Sequence, residues 1–443
     1  MESDAPIERY EDLLVPFVSA QKTEERIGAE MEKFGVRADG SPIQYEGPDG
    51  VLVFLNDLIA KGWVPDSEYE GGPVLSLTKN GGSITLEPGS QFELSGAQHE
   101  DVHAVSQEGY DHLRELLPLS EKLGVQWLGL GFHPYAKRSD FTFVPKLRYG
   151  IMKEYLPTRG HYALDMMLRT STVQANFDYR SEADAMRKLR VGLWLSPLNA
   201  AIFANSPFVE GERFGGKSYR AKVWLDVDND RSGLVPAVLG KSAGYTEYVE
   251  WALSVPMFLI KRDGRPIKNT GQTFRDFWKN GFDGHRAMQS DWQTHINTLF
   301  PEVRLKRTIE VRSADSQNLV FAPALSALWT GIFYDNSALG RAESLVADFT
   351  FDEVNAVRQD VWRLGLQSPW RGKTLQPLAE SLLEIAMGGL ARRAKKNAKG
   401  EDERVHLAPL VALVEKGLSP SDLLKPASMA PADLIAATRI TVD

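Results

Sequence analysis

Alternation of apolar and polar positions is the clearest pattern in this chain, and it is sharpest just after residue 25. Ile27, Ala29 and Met31 alternate with a glycine and with Glu30 and Glu32. This two-residue period predicts a β-strand that carries both carboxylates on one face. Adjacent like charges on a sheet lower its stability unless a positive charge lies between them, and a divalent cation is one such charge. Taken alone, the stretch fits a solvated strand face better.

Four later segments also carry polar and charged residues together, and they favour a cation site over a solvated strand face. They are the segment 83–93, a strand at 83–87 followed by a Pro-Gly bend that lets Glu87 and Glu93 face the same space, and the predicted strands 169–178, 218–226 and 300–312, each with one polar face. Residues 74–87 also have the spacing of a β-hairpin around the turn Asn80-Gly-Gly. The polar positions of these segments are Glu87 and Glu93, Arg169, Gln174 and Asn176, Arg220, and Arg304, Lys306, Thr308, Glu310 and Arg312.

Helical spacing of apolar residues predicts most of the remaining elements. Helices are expected at 7–20, 50–63, 107–123 and 145–155, after Ser181, and at 324–333, 352–364, 375–395 and 407–417; further strands are expected at 125–133 and 255–262. Strands dominate up to about residue 315 and helices beyond it, which indicates the α+β class. We expect one catalytic domain over 1–443, with a strand-rich core at about 22–315 and a helical part at about 320–443.

The composition excludes several classes of functional site and of binding partner. The 443 residues are 43% hydrophobic and carry a net charge of −8, so nothing across the whole sequence favours nucleic acid as a partner. There is no cysteine, which excludes disulfides, a thiol nucleophile and thiolate metal ligands. The acidic N-terminus lacks the pattern of a signal peptide, and prolines and asparagines interrupt the charge-free run 191–209. We therefore expect a cytoplasmic protein with no membrane span.

Carboxylates and arginines mixed on one sheet face suit a polyanion that is held through metal ions. ATP with Mg²⁺ fits this description, because metal ions would bridge phosphates to glutamates while guanidinium groups bind the phosphoryl oxygens. The sequence contains neither a G-x-x-x-x-G-K-[ST] loop nor the motif set of protein kinases. The phosphates would then depend on metals and arginines and not on a backbone cradle.

Long strings of the sequence resemble one family, the glutamate–cysteine ligases of the plant and proteobacterial type. The strings are RIGAEMEKFG from Arg26, ITLEPGSQFELSGA from Ile84, LDMMLRTSTVQAN from Leu164 and FPEVRLKR from Phe300. The resemblance runs from about residue 26 to about residue 424. It implies a fold similar to that of glutamine synthetases, in which an antiparallel half-barrel sheet has helices packed behind it. The implied reaction joins the γ-carboxylate of glutamate to the amine of cysteine through a γ-glutamyl phosphate, the first step of glutathione biosynthesis.

The resemblance also implies roles for individual residues. Glu30, Glu32, Glu93 and Glu310 match magnesium ligands, with Glu87 beside them, for two or three Mg²⁺ ions. Gln174 and Asn176 match positions that face metal and nucleotide, and Arg220 and Arg312 match cations that face the substrate carboxylate and the phosphates. Among the other cations, Lys306 is assigned to the catalytic residues, and Arg169, like Arg312, to those that hold the nucleotide.

Several questions stay open at this level. A related ligase that joins glutamate to another amine, and a relative that binds nucleotide or metal without catalysis, are the alternative functions. The expected partners are small-molecule substrates, and the protein is expected to be a monomer or a homodimer. Plant members are described as controlled by disulfides, and a sequence without cysteine departs from that pattern.

Overall fold

The computed structural model describes residues 4–442, which form an open antiparallel sheet with helices packed against it. The sheet has nine strands: β1 (Ile27–Val36), β2 (Val64–Asp66), β3 (Ser76–Lys79), β4 (Gly82–Leu86), β5 (Phe92–Ser95), β6 (Gln126–Leu128), β7 (Thr172–Phe177), β8 (Val303–Leu305) and β9 (Ile309–Asp315). The strand order is β8-β9-β7-β1-β5-β4-β3-β2, and β6 pairs with the far end of β1. The predicted α+β class is confirmed.

The remaining elements are helices and short strand pairs. Two-residue pairs join Phe208–Val209 to Glu212–Arg213, Ser232–Gly233 to Phe300–Pro301, and Pro369–Trp370 to Lys373–Thr374, and a longer pair joins Leu259–Arg262 to Arg265–Lys268. The α-helices are Val15–Val18, Val51–Ala60, Val102–Leu123, Leu147–Tyr155, Ala163–Arg169, Glu182–Trp194, Ser196–Ile202, Tyr219–Val223, Tyr245–Ser254, Phe274–Asn280, Gln289–Asn297, Ala322–Phe333, Asn336–Leu345, Phe351–Leu364, Gln376–Arg393, Arg404–Val414, Pro420–Leu423 and Pro431–Thr438.

One face of the sheet is buried beneath helices, and the other carries the polar positions. Every residue of helix Ala322–Phe333 is buried, and this helix packs against β1 and β7. Apolar side chains of the strands, such as Ile27 and Val173, belong to the same core cluster as Leu325 and Leu407 from the C-terminal helices. The C-terminal helices therefore complete the core behind the sheet, and they leave the opposite face free for chemistry.

Two predicted strands have a different structure. Residues 218–226 do not form a strand, because Ser218 caps a short helix, Tyr219–Val223, by accepting a hydrogen bond from the Ala221 N–H at 3.0 Å. Residues 300–312 form a hairpin, β8 and β9, and not one strand. Arg304 and Glu310 still share a face, because they lie directly opposite each other across that hairpin.

Other predicted elements are shorter than expected. The helix expected at 7–20 is divided into a 3₁₀ turn, Tyr10–Leu13, and the helix Val15–Val18, whose second residue is Pro16. A proline lacks the N–H that a helix continuing through this point would need. The strands expected at 125–133 and 255–262 are reduced to β6 and to Leu259–Arg262.

Candidate active site

Strand register brings the predicted polar residues into rows across the sheet. Glu32 on β1 lies directly opposite Glu93 on β5. Glu30 lies between Ser95 on β5 and Gln174 on β7. Directly opposed side chains in an antiparallel pair have Cβ atoms about 5 Å apart, so they interact. Segments far apart in the sequence therefore form one polar surface at the centre of the sheet.

A second row lies on β7, β9 and β8. Asn176 is opposite Glu310, and Glu310 is opposite Arg304. The Asn176 side chain donates to Glu30 Oε1 at 2.9 Å and accepts from the Thr308 hydroxyl at 2.9 Å. This amide therefore links the two rows of the polar surface.

A cavity with an empty volume of about 900 Å³ opens above this surface. Its lining includes most of the residues predicted for the site: Glu30, Glu32, Glu87, Glu93, Gln174, Arg220 and Arg312. The rest of its lining is mixed: Arg148, Arg304 and several threonine and amide side chains are polar, and Tyr149, Met152, Met166, Trp224 and Phe300 are apolar or aromatic. We call this space the carboxylate cavity. Carboxylates line the floor of this cavity, and methionine and aromatic side chains form one part of its wall.

The carboxylates that line the cavity repel one another. Burial raises the pKa of Glu30 to about 7, and the charges of Glu310 and Glu93 add to this rise, while Lys306 opposes it. Burial and the charges of Glu87 and Glu93 raise the pKa of Glu32 well above its usual range. Burial, followed by the charge of Glu87, also raises the pKa of Glu93. Burial is the largest cause in each case, and together with the neighbouring carboxylates it outweighs the nearby positive charges.

Glu310 has the opposite environment. Burial by itself would raise its pKa, but the charges of three cations outweigh that effect and hold the pKa well below its usual range. Arg304 Nε donates to Glu310 Oε2 at 2.6 Å and Arg312 Nη1 donates to it at 2.9 Å, while Lys306 pairs with Oε1. Lys306 Nζ also lies 3.9 Å from Glu30 Oε1. Glu310 is thus neutralised by protein side chains, unlike the carboxylates around the cavity.

Arg220 and Arg312 lie next to each other at one end of the cavity. Arg220, in the helix that Ser218 caps, is buried and donates through Nη2 to the Arg312 carbonyl oxygen at 3.0 Å. Burial lowers the pKa of Arg220, and Asp315 and Glu32 oppose that effect by their charges. Arg312 Nη1 donates to Gln174 Oε1 at 2.7 Å. The two guanidinium groups are therefore supported by the backbone and by the Gln174 amide.

Glu87 is held by a turn that packs tightly on a neighbouring helix. The Ser90 N–H donates to the Glu87 carbonyl oxygen at 3.0 Å, and Gln91 Nε2 donates to the Thr170 carbonyl oxygen at 2.8 Å. A Cβ on Gly89 would lie 2.3 Å from the Leu168 carbonyl oxygen, so only glycine allows this approach. The turn thereby places Glu87 at the rim of the carboxylate cavity.

The structure separates Arg169 from the other predicted residues. Its Nη1 donates to Asp165 at 3.0 Å, its Nη2 donates to Glu210 at 3.2 Å, and its guanidinium group lies over the Phe132 ring at 4.6 Å. Arg169 does not line the carboxylate cavity. The strand pattern suggested a site position, but the residue ends helix Ala163–Arg169, five residues before Gln174.

The structure also adds residues to the cavity that the pattern did not assign to the site. Arg148 and Tyr149 enter from helix Leu147–Tyr155, and Arg304 comes from β8. The basic start of that helix was visible in the sequence, but its position opposite Glu87 depends on the fold. Arg304 is on the predicted polar face that also carries Glu310, and this shared face was the signal in the sequence that could have assigned it to the site.

The donor set around the cavity is compatible with magnesium. Among residues 4–442, no three acidic or histidine side chains form a group that could hold a metal ion without other ligands. Mg²⁺ usually takes one or two carboxylates and completes its octahedron with water and substrate phosphates. The opposed and buried pair Glu32 and Glu93, with raised pKa values, offers the oxygen donors and the uncompensated negative charge that such an ion requires.

Comparison with known proteins agrees with the resemblance. A family model described as glutamate-cysteine ligase family 2 matches residues 26–436. The chain is 42% identical over 416 residues to a chloroplastic glutamate–cysteine ligase of Medicago truncatula, covering 91% of this chain and 81% of that protein. It is 41% identical over 421 residues to the chloroplastic glutamate–cysteine ligase B of Oryza sativa subsp. japonica, covering 94% and 83%.

A solved structure supports the fold. The crystal structure of a glutamate–cysteine ligase from Francisella tularensis in complex with AMP superposes with a TM-score of 0.58 at 13% identity. The superposition covers 94% of this chain and 88% of that chain. At this level of identity the likeness concerns the fold alone.

The relatives correct one expectation from the sequence. We expected a cytoplasmic protein, but the relatives from Medicago truncatula, Brassica juncea, Arabidopsis thaliana and Oryza sativa are named as chloroplastic enzymes. The cytoplasmic prediction, which relied on an N-terminus without a signal peptide, is therefore wrong. Within residues 4–442, every helix is too short or too polar to cross a lipid bilayer. By the extent of the family match and by its identity to the plant enzymes, the chain belongs to the glutamate–cysteine ligase family and is a ligase.

Proposed function

We propose that this enzyme joins the γ-carboxylate of glutamate to the amine of cysteine at the expense of ATP. The observation that carries the proposal is the cavity in which opposed, uncompensated carboxylates face two adjacent arginines. A carboxylate is a poor electrophile, so it must first become an acyl phosphate that the amine can attack. A site for this chemistry needs places for a nucleotide, for metal ions and for two amino acids.

The carboxylates would hold magnesium. Glu32 and Glu93 form the central pair, and Glu30 and Glu87 lie on either side of it around the cavity. When bound, Mg²⁺ would neutralise the phosphates and act as a Lewis acid and as a template. Glu310 would contribute mainly by orienting Arg304, Lys306 and Arg312, because those cations already occupy its oxygens.

The arginines would bind the groups that carry negative charge during transfer. Arg220 and Arg312 lie at the end of the cavity, where they can neutralise the γ-carboxylate and the transferring phosphoryl group. Removing one such preorganised donor typically costs about 3–4 kcal/mol of transition-state stabilisation. Gln174 orients Arg312, and Asn176 orients Glu30. The nucleotide would lie over these two amides.

The apolar wall of the cavity suits the acceptor. Met152 and Met166 offer polarisable thioether surfaces next to the Trp224 and Phe300 rings. The side chain of cysteine is small and weakly polar, and such a wall would accommodate it without a buried polar group that lacks a partner.

The proposal is tested by one assay. Purified protein with Mg²⁺, ATP and glutamate is expected to release ADP and phosphate when cysteine is added, and to form γ-glutamylcysteine. A panel of other amino acids, with alanine as the control that lacks the sulfur, measures the preference for the acceptor. Equal turnover with alanine and cysteine would contradict the cysteine assignment and favour another amine as the acceptor.

A further inference from the structure

A further cavity lies behind the central sheet, on the face opposite the carboxylate cavity. It has an empty volume of about 330 Å³ and is enclosed by β1, helix Val102–Leu123 and the segment that follows β9. Much of its lining is apolar and includes Met31, Leu113, Leu319 and Ile440. Two basic side chains, Lys33 and His112, also line it. We call this space the rear cavity.

Lys33 is a buried lysine that has no counter-charge on its own side of the sheet. The residue is 4% exposed, and its Nζ donates to the Phe92 carbonyl oxygen at 3.3 Å. Among residues 4–442 this is the only hydrogen bond of the ammonium group, and no carboxylate forms an ion pair with it. Glu32 borders the rear cavity, but successive side chains of a strand point to opposite faces, so its carboxylate lies across the sheet, opposite Glu93. A buried ammonium group is costly to the fold unless an anion or further hydrogen bonds compensate it.

His112 is the second polar group of the rear cavity. It is 5% exposed, and within the described part of the chain neither of its ring nitrogens has a hydrogen-bond partner. Burial, and after it the charge of Lys33, holds the pKa of His112 well below its usual range. The ring is therefore neutral, with one N–H donor and one acceptor nitrogen. It stacks on Phe92 at a centroid distance of 6.0 Å, and Lys33 Nζ lies 5.5 Å from the centroid of the same Phe92 ring.

The two basic groups have hydrogen-bonding capacity that the protein does not use. An ammonium group has three N–H donors, and Lys33 directs one of them to a protein oxygen. His112 adds an N–H donor that has no partner among residues 4–442. Because buried polar groups are normally paired, unused donors from two side chains around one cavity indicate a ligand that accepts hydrogen bonds.

We propose that the rear cavity binds a small inorganic anion with a single negative charge. The anion would accept hydrogen bonds from the Lys33 ammonium group and from the His112 N–H, and it would supply the counter-charge of Lys33. A water molecule could accept the same hydrogen bonds but would leave Lys33 without a counter-charge. A dianion such as phosphate or sulfate needs more donors than these two side chains provide, and the apolar walls add none. Because the cavity lies behind the sheet, this inference is independent of the reaction proposed above.

Chloride and bicarbonate share the required chemistry. Both carry a single charge and accept hydrogen bonds, but only bicarbonate has an O–H that it can donate. Gln317 Oε1 belongs to a residue of the same lining and is buried without a partner among residues 4–442, so it could accept that O–H. The experiment therefore treats the two anions separately.

Urea unfolding at constant ionic strength and pH 7 measures the binding. Chloride or bicarbonate replaces gluconate, a bulky organic anion, in separate titrations. Binding with a dissociation constant of about 50 mM or below should lower the equilibrium constant of unfolding about fivefold or more at about 200 mM anion, because a ligand of the folded state stabilises it by mass action. The anion that produces this effect is the ligand.

Variants of the two basic residues are expected to remove the effect of the anion. Lys33→Met and His112→Phe each keep a side chain of similar size and delete the donor, and the phenylalanine can still stack on Phe92. Without chloride or bicarbonate, Lys33→Met should be at least as stable as the wild type, because it removes a buried charge that lacks a counter-charge. Lys122→Met, at an exposed position of helix Val102–Leu123, is the matched control and should keep the full response.

Crystals soaked in the effective anion, with bromide in place of chloride, locate the site. One ion is expected within hydrogen-bonding distance of Lys33 Nζ and of a His112 ring nitrogen. Equal responses of the wild type and Lys33→Met to both anions would overturn the inference, and so would a water molecule at that position in the soaked crystals. An ion in the crystal without an effect on unfolding would be an adventitious ion only, which also contradicts it. If the variants do not fold, the wild-type titration and the position of the ion decide.

Discussion

The same residue type has opposite electrostatic environments at two positions of the site. Glu30 and Glu310 are both glutamates on central strands, and both are linked to Asn176, by a hydrogen bond in one case and by strand pairing in the other. Glu310 is surrounded by three cations, whereas Glu30 lies among other carboxylates, with Lys306 Nζ 3.9 Å away. Removing a negative charge should therefore have opposite consequences for stability at the two positions.

We expect Glu30→Gln to keep or slightly raise the free energy of unfolding, because it reduces repulsion within the carboxylate group. Glu310→Gln is expected to lower it by about 3–5 kcal/mol, because three cations lose their buried counter-charge. Both variants should lose most ligase activity, and Glu30→Gln should in addition need more Mg²⁺ for half-maximal rate. Urea unfolding and magnesium titrations of the rate measure these effects.

Glu121→Gln, at an exposed position of helix Val102–Leu123, is the control for removing a carboxylate. It is expected to match the wild type in both measurements. Near-normal turnover of Glu30→Gln at limiting magnesium would be incompatible with a metal-binding role for this side chain.

At the scale of elements, the site depends on how closely the turn after β4 approaches helix Ala163–Arg169. Gly89 lies within that turn, and Gln91 fastens the turn to the end of the helix. This contact determines the position of Glu87 relative to Glu93 on β5. The turn is thus the element through which packing affects the carboxylate cavity.

Gly89→Ala should displace this turn, because its new Cβ would lie 2.3 Å from a backbone carbonyl oxygen that cannot move independently. We expect a loss of about 1–3 kcal/mol in stability together with a higher magnesium requirement, since Glu87 moves with the turn. Gly340→Ala is the matched control: nothing lies within 4 Å of its Cβ, and a helical glycine replaced by alanine should gain up to about 1 kcal/mol. Unchanged magnesium dependence in Gly89→Ala would show that the turn does not position Glu87.

At the scale of the whole molecule, His133 and His295 are buried and His406 is partly buried, and all three are held in the neutral form. Burial lowers the pKa of His295 and of His133 to about 3, and that of His406 to about 4. His295 packs against Phe274 and Trp292, and its Nε2–H donates to the Ala252 carbonyl oxygen at 2.8 Å. A protonated imidazole has no counter-charge in such surroundings, so the fold should be sensitive to acid.

The direction of this pH dependence follows from the lowered pKa values. The unfolded chain binds protons near pH 6.5, whereas the folded chain does so only near pH 3–4, so stability is complete above about pH 6.5 and falls as the pH decreases. Each such histidine should cost about 2 kcal/mol between pH 7 and pH 5. Urea midpoints at several pH values should therefore decrease on acidification. His295→Gln should reduce the slope, and the exposed His161→Gln serves as its control; an unchanged slope in His295→Gln would contradict this account.

The sequence by itself determined those features of the protein that depend on local chemistry. Alternation around Glu30 and Gln174 predicted strands with polar faces, the Asn80-Gly-Gly turn predicted a hairpin, and long strings predicted the family. These signals are readable because side-chain direction repeats every two residues in a strand and because turns have strict backbone requirements. The strand prediction failed at residues 218–226, because a few alternating positions also fit a short capped helix.

Only the tertiary structure decided which of these residues act together. The pairing of Glu32 with Glu93, the three cations around Glu310, the separation of Arg169 and the cavity beside Lys33 all join segments that are distant in the chain. No local pattern encodes such neighbours, because strand order and helix packing arise from burial of the whole core. Electrostatic balance depends on those neighbours, and so the chemical difference between otherwise similar glutamates becomes visible only in the folded molecule.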